Sequence, residues 1–205
     1  MPMIVKEQMS PEWWTEHLDR ITGGTAAGCL GGSPDMAPIS AFKKIKQLVK
    51  EKSNWYTEYG VRFEASARAA YERYTGRLVW ETGFWIHPQY RWLGSSPDGL
   101  CFPGLVELKC PQKIPTAVPW QHMIQAMVAM AVCDQPWCDY FCWHPHLKPF
   151  ICRIVRDLDA EKLMIMQLEA FWKKHIELNV PPPRRKHVPK KEMACVPSYA
   201  AAATP

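Results

Sequence analysis

The stretch Ser95 to Cys110, SSPDGLCFPGLVELKC, restricts the fold more than any other part of the chain. A Ser-Pro-Asp-Gly turn leads into a strand of alternating apolar residues, and the two arms fold into an antiparallel hairpin. A loop of about four residues centred on Phe102 and Pro103 sets Asp98 opposite Glu107 and Ser96 opposite Lys109. Directly opposed residues in such a pair have Cβ atoms about 4.5–5.5 Å apart. Glu107 and Lys109 are two positions apart and share a face, while Val106, Leu108 and Cys110 point the other way, into a core. Two carboxylates and an ammonium are thereby gathered on one side of one hairpin.

Such a group can hold a divalent cation and position a water. Mg²⁺ prefers hard oxygen ligands and keeps several waters, so Asp98 and Glu107 with a substrate phosphate suffice. The Leu108 carbonyl, between Glu107 and Lys109, adds a backbone ligand. A bound cation lowers the pKa of its water, and Lys109 can orient the resulting nucleophile and stabilise charge on phosphoryl oxygens. This is the chemistry of metal-assisted phosphodiester hydrolysis. The ExK triplet alone also fits a solvated face with weak cross-strand ion pairs.

The rest of the chain sets bounds. Its 205 residues are enough for one compact domain with a substantial core. A net charge of +5 permits a polyanionic partner without requiring one. The start, Met1 to Gln8, carries no long apolar stretch, and no window of the chain is apolar enough to span a membrane. Eight cysteines without an export signal read as thiols of a cytoplasmic protein. Cys138, Cys142, His144 and His146 cluster in sequence but match no zinc spacing, and are expected to be buried thiols and strand residues.

Along the chain, Ser10 and Pro11 start a helix over residues 11 to 20. Thr25 is expected to cap a short helix through Leu30, followed by a helix from Ala41 to Lys52 and another from Asn54 to Thr75. Strands are then expected over Leu78 to Ile86, Trp92 to Gly94, at Leu100 and over Leu105 to Cys110. A helix over Pro119 to Cys133, strands at Trp137 to Trp143 and Phe150 to Val155, and a helix over Asp159 to Leu178 complete the order. The expected fold class is α/β, a central mixed sheet flanked by helices with an N-terminal helical addition. Residues 1–180 read as a single domain, and 181–205, with PPPRRKHVPKK and a run of alanines, as a basic, flexible tail.

The SPDG turn followed by ELKCP resembles the PD-(D/E)xK nuclease superfamily, with its restriction-endonuclease-like core. From about Trp14 to Leu178 the chain resembles the YqaJ, or phage lambda-type, exonuclease family. The matching pieces are RITGGT at Arg20 to Thr25, GVRFE at Gly60 to Glu64, SPDGLC at Ser96 to Cys101, VELKCP at Val106 to Pro111 and HMIQAM at His122 to Met127. The resemblance implies that Asp98 and Glu107 ligate metal, that Lys109 orients or stabilises, and that Glu64 assists metal or water. It implies a role for Gln125 beside the water or scissile phosphate, with Gln121 one turn away. Arg20, Thr25 and Ser96 would grip a terminal 5′-phosphate. Rival accounts stand beside these: an i,i+4 pair with Arg68 for Glu64, helix capping for Thr25, and a helix-surface place for His122. Trp55, Trp85 and Trp92 can stack on unpaired bases or pack in a core.

The resemblance further implies a Mg²⁺-dependent 5′→3′ exodeoxyribonuclease, with Mn²⁺ substituting. It would digest one strand of linear duplex DNA and leave 3′ single-stranded tails. A ring-shaped homotrimer and a single-strand annealing partner in phage-type recombination come with it. An endonuclease of the same superfamily and a non-catalytic DNA-end binding module remain the alternatives. An iron–sulfur nuclease is disfavoured because no terminal cysteine cluster is present.

Overall fold

The computed structural model describes residues 3–5, 10–49 and 55–184. Most of the expected tail, from residue 185 onward, lies outside the described residues, as do residues 50–52 of the expected Ala41–Lys52 helix and Asn54 of the next. The chain forms two four-stranded mixed sheets with helices packed around them. The expected α/β class therefore stands, with its single sheet resolved into two.

The first sheet contains β1 (Met3–Val5), β2 (Ile21–Thr22), β3 (Phe84–Ile86) and β4 (Leu93–Ser95), in the order β1-β3-β4-β2. The second contains β5 (Gly99–Leu100), β6 (Leu105–Lys109), β7 (Trp137–His144) and β8 (Leu147–Val155), in sequence order. Strands β6 and β7 are parallel, with Glu107 beside Tyr140 and Lys109 beside Cys142. The parallel pair is bridged by a helix, as such a crossover requires.

Helix α1 (Pro11–His17) begins as its sequence dictates: the Ser10 hydroxyl accepts the Trp13 N–H at 3.1 Å, and Pro11 occupies the first turn. Helix α2 (Gly23–Cys29) starts two residues before the expected Thr25 cap. Thr22 is the cap, and Thr25, in the first turn, takes the Thr22 N–H on its hydroxyl at 2.9 Å. A reciprocal capping box thus sets the boundary, with both glycines inside the helix. Helix α3 (Pro38–Ile45) starts on Pro38 and is shorter than its expected counterpart. Helix α4 (Trp55–Thr75) ends at Gly76, whose φ of +70° is the left-handed conformation that glycine adopts at no steric cost.

Helix α5 (Trp120–Cys133) is apolar on nearly every side, and Ile124 and the run from Val128 to Cys133 are buried. It covers one face of the second sheet together with α6 (Leu158–Phe171), whose Leu168 is fully buried in the same core as Leu105 and Tyr140. A π-helical segment, Trp172–Glu177, replaces the last turns of the expected final helix. Helix α4 covers the opposite face, where Ala70 and Tyr71 pack on Val106, Leu108 and Phe141. Both faces of β6 are therefore inside the protein.

A hydrogen bond to a buried, ion-paired carboxylate fixes α4 to the sheet. Asp139 on β7 is 1% exposed and receives Arg153 in a two-pronged contact, both N···O distances being 2.8 Å. The Tyr71 hydroxyl donates to the same carboxylate at 2.8 Å. Every lone pair in use is matched by a donor, which is what a buried charge requires. This anchor holds the helix that carries Glu64.

Candidate active site

The hairpin closes as the sequence dictates. Gly99 pairs with Val106 and Leu100 with Leu105, so one further step of that register sets Asp98 across from Glu107. The Cys101 N–H donates to the Gly104 carbonyl at 2.9 Å across the loop. Gly104 is required there, because a Cβ would stand 2.3 Å from the Trp137 ring. Ser96 lies outside the pairing, on the connection between β4 and β5.

Asp98 is pinned to the strand: its Oδ2 accepts the Leu108 N–H at 2.7 Å. That amide lies on the edge of β6 facing away from β7, and the Leu108 carbonyl shares the edge, since N–H and C=O of one strand residue point the same way. Lys109 Nζ forms an ion pair with Glu107 Oε1. Glu107 is 1% exposed, among the most buried side chains of the protein.

Burial, reinforced by the neighbouring Asp98, pushes the Glu107 carboxyl up to about 7. Burial also raises Asp98, against the opposing pull of Lys109 and the Leu108 N–H. On Lys109, burial alone would lower the pKa, but Glu107 and Asp98 outweigh it and hold the ammonium above its usual range. Glu64, half-buried on α4, is raised by burial and then by Asp98, so its carboxylate feels the same site. It also receives Arg68 Nη2 at 3.1 Å. The i,i+4 pair with Arg68 is thus formed. A Cβ on Gly60, one turn earlier, would meet nothing within 4 Å, which leaves open ground beside Glu64.

A buried and a half-buried carboxylate in mutual repulsion, with a backbone carbonyl between, form a hard-oxygen donor set that fits Mg²⁺. Among the described residues no three His, Cys, Asp or Glu side chains form a closed metal cage. An ion on this edge would rest on Asp98, Glu107, the Leu108 carbonyl and water.

A cavity of about 220 Å³ is reached from the hairpin by Ser96, two residues before Asp98 in the chain. Arg20, Gly23, Gly24, Thr25, Ser96 and Gln125 line it. The Ser96 hydroxyl is buried there with no protein partner. The Thr25 hydroxyl donates to the Thr22 carbonyl at 3.2 Å and is occupied by capping. Arg20 is steered by Glu16, at 3.0 Å, and by the Arg91 carbonyl, at 2.9 Å from its Nε. Gln125 packs beside Gly23, where a Cβ would come within 3.1 Å of its Cγ. Gln121 turns away and donates to Asp35 at 3.0 Å. Of the two glutamines, Gln125 lines the cavity and Gln121 does not.

Sequence reasoning missed the outer wall of the cavity, where Trp13, Trp14, His17, Lys44 and Gln47 come from α1, α3 and the turn after α3. Only the tertiary fold brings these segments to Arg20. It also misplaced His122, which is half-buried rather than on the helix surface. The His122 ring shares a 2.7 Å hydrogen bond with the Tyr140 hydroxyl, and burial, with Lys109 nearby, lowers its pKa to about 4. Cys138 and Cys142 are buried free thiols, as expected.

The fold and the side chains gathered on β6 define a nuclease of the lambda-exonuclease type. The chain belongs to the YqaJ-like viral recombinase domain family, which matches residues 12–136. Its structure is similar to that of an alkaline exonuclease from Laribacter hongkongensis, with a TM-score of 0.72 and 25% identity over 83% of this chain and 94% of that one. The same enzyme in complex with dAMP gives a TM-score of 0.73 and 28% identity, with 83% and 94% covered. A phage-related exonuclease from Haemophilus somnus 129PT shares the fold at a TM-score of 0.59 and 11% identity, over 78% of this chain and 95% of that one. No curated protein matches the sequence significantly.

Proposed function

We propose that this chain is a Mg²⁺-dependent 5′→3′ exodeoxyribonuclease, which digests one strand of linear duplex DNA and leaves a 3′ single-stranded tail. One observation carries the proposal. The Asp98–Glu107–Lys109 group and the cavity lined by Arg20, Ser96 and Gln125 adjoin through the short Ser96–Asp98 connection. A cutting site beside an anion-sized pocket suits an enzyme that holds a chain end while cleaving near it.

Asp98 and Glu107, with the Leu108 carbonyl, are the residues that would hold the cation; Mn²⁺, with the same ligand preferences, would substitute. When bound, the ion supplies a water of lowered pKa and screens charge on the phosphoryl oxygens. Glu107 must be ionised to ligate, and its raised pKa means that a proton competes for it near neutrality. Lys109 remains an ammonium there, so it orients and stabilises by charge rather than by taking a proton. Glu64, poised from α4 across open ground at Gly60, accepts hydrogen bonds from water entering the site. Gln125 offers an amide to the scissile phosphate's surroundings.

The terminal 5′-phosphate is assigned to the cavity. Arg20, with Nε and Nη1 held by the Arg91 carbonyl and Glu16, supplies positive charge, and the partnerless Ser96 hydroxyl a donor. Thr25 contributes less through its engaged hydroxyl than through the helix start it organises, whose first amides have no partner within the helix. A trimeric ring around DNA and transfer of the tail to a single-strand annealing protein complete the proposal, supported by the family alone. A place in the cytoplasm of a bacterial host follows from that role; no helix among the described residues is long and apolar enough to cross a membrane.

The test is digestion of strand-labelled linear and covalently closed circular duplexes, with and without 5′-phosphate, in Mg²⁺ or chelator. The proposal expects loss of the phosphorylated strand of the linear form only, and only with the ion. Cutting of the closed circle would favour an endonuclease instead. Binding of ends without any release would favour a DNA-end binding module.

A further inference from the structure

Helix α4 carries an aromatic ladder that the site described above does not use. Trp55, Tyr59 and Phe63 recur every four residues, and their rings follow one another at 5.2 Å and 4.5 Å with tilts of 32° and 41°. Trp143, at the end of β7, extends the row 6.2 Å beyond Phe63. Such spacing on a helix usually marks a core stripe, yet this row leaves the core as it runs toward the helix start. Phe63 and Trp143 are half-buried, whereas Trp55 is 56% exposed and Val61 72% exposed. Arg62, exposed, holds its guanidinium 5.7 Å from the Phe63 ring centroid. The inner end of the row is one residue from Glu64.

We propose that this ladder is a stacking platform for unpaired nucleotides of the DNA strand that enters the active site. The choice of ligand rests on the proposed nuclease function. Three features favour bases over another protein surface. The rings recur at helical spacing with tilts of 32° and 41°, and the outermost, Trp55, is more than half exposed. A cation beside them answers the phosphate that accompanies each base. The row lies on the helix that carries Glu64, and its innermost helix residue, Phe63, precedes Glu64 in the chain. Stacking is tolerant of sequence because every base has a π face, as a processive exonuclease requires.

The test is fluorescence anisotropy of labelled oligothymidylate, and of an abasic oligomer of equal length, binding to the full chain in chelator. Wild type is expected to favour the oligomer with bases by about tenfold or more. Trp55→Leu with Tyr59→Leu removes most of that preference, whereas Trp55→Phe, which keeps a flat ring, retains it. Arg62→Ala weakens both ligands alike and lowers the salt dependence of binding by about 0.7 of a log unit per log unit of salt. Should the double variant fail to fold, Trp55→Leu at the exposed helix start decides, and circular dichroism checks its fold. The proposal is overturned if wild type binds both oligomers equally or if the leucine variants keep the preference. Nuclease activity without base preference would remove the ladder and leave the proposed function standing. Base preference without nuclease activity would do the reverse.

Discussion

At the proposed cation site, the raised pKa of Glu107 would make binding depend on pH. The carboxyl is moved from 4.5 to about 7, chiefly by burial and then by the charge of Asp98. A cation at this edge needs the ionised form, so below the shifted pKa each bound ion must displace a proton. Affinity therefore rises with pH and levels off above about 7. One competing proton weakens binding about tenfold between about pH 8 and pH 6, equivalent to ~1.4 kcal/mol. Asp98 is raised in the same direction and would steepen the acid limb. Lys109 stays protonated across this range and does not alter the slope. Isothermal calorimetry with Mn²⁺ at three pH values, in buffers of different ionisation enthalpy, reads both the affinity and the proton count. Glu107→Gln is expected to bind weakly and without this slope. Affinity that is flat, or that strengthens toward acid, would refute the assignment of Glu107 as a ligand carrying a raised pKa.

Other expectations follow from the same geometry. In the metal-free protein, Glu107 contributes stability that is full below its ordinary 4.5 and is lost as pH rises through about 7; denaturant midpoints across that window should fall, and the Glu107→Gln slope should not. His122, lowered to about 4, acts oppositely: its share is present above its ordinary 6.5 and lost as pH falls, so His122→Asn should steepen the fall seen for wild type. Arg153→Ala strands the buried Asp139 carboxylate and should cost about 3 kcal/mol by urea unfolding; a loss below ~1 kcal/mol would show that water relieves it. Ser96→Ala removes a hydroxyl that satisfies nothing in the protein, so stability should hold within ~0.5 kcal/mol while preference for 5′-phosphorylated ends declines; competition between phosphorylated and hydroxyl ends reads this directly.

The hairpin that carries Asp98 and Glu107 was legible because its determinants are local. Loop length and the two-residue period of a strand set the register of Asp98 against Glu107, and neither depends on distant packing. The long strand expected from Leu78 to Ile86 survives only as a bridge at Trp80 and as β3. Its partner β5 is two residues long, and Leu78 is 66% exposed, so apolar composition had no sheet to join. The short β1 and β2 carry too few residues to show a period. Paired glycines disfavour a helix interior, which points to Thr25 as the cap, whereas the capping box with Thr22 draws both glycines inside. The cavity wall from α1 and α3, and the burial of His122 against Tyr140, arise from segments far apart in sequence, and no local pattern encodes them.

The most direct test of the catalytic centre is release of nucleotides from a 5′-phosphorylated linear duplex in Mg²⁺ by wild type, Asp98→Ala and Lys109→Ala, with each fold checked by thermal melting. Release by wild type, and a loss of at least about a hundredfold in both folded variants, is the predicted result. A folded variant that cuts at the wild-type rate would contradict the assignment and place the chemistry elsewhere on the molecule.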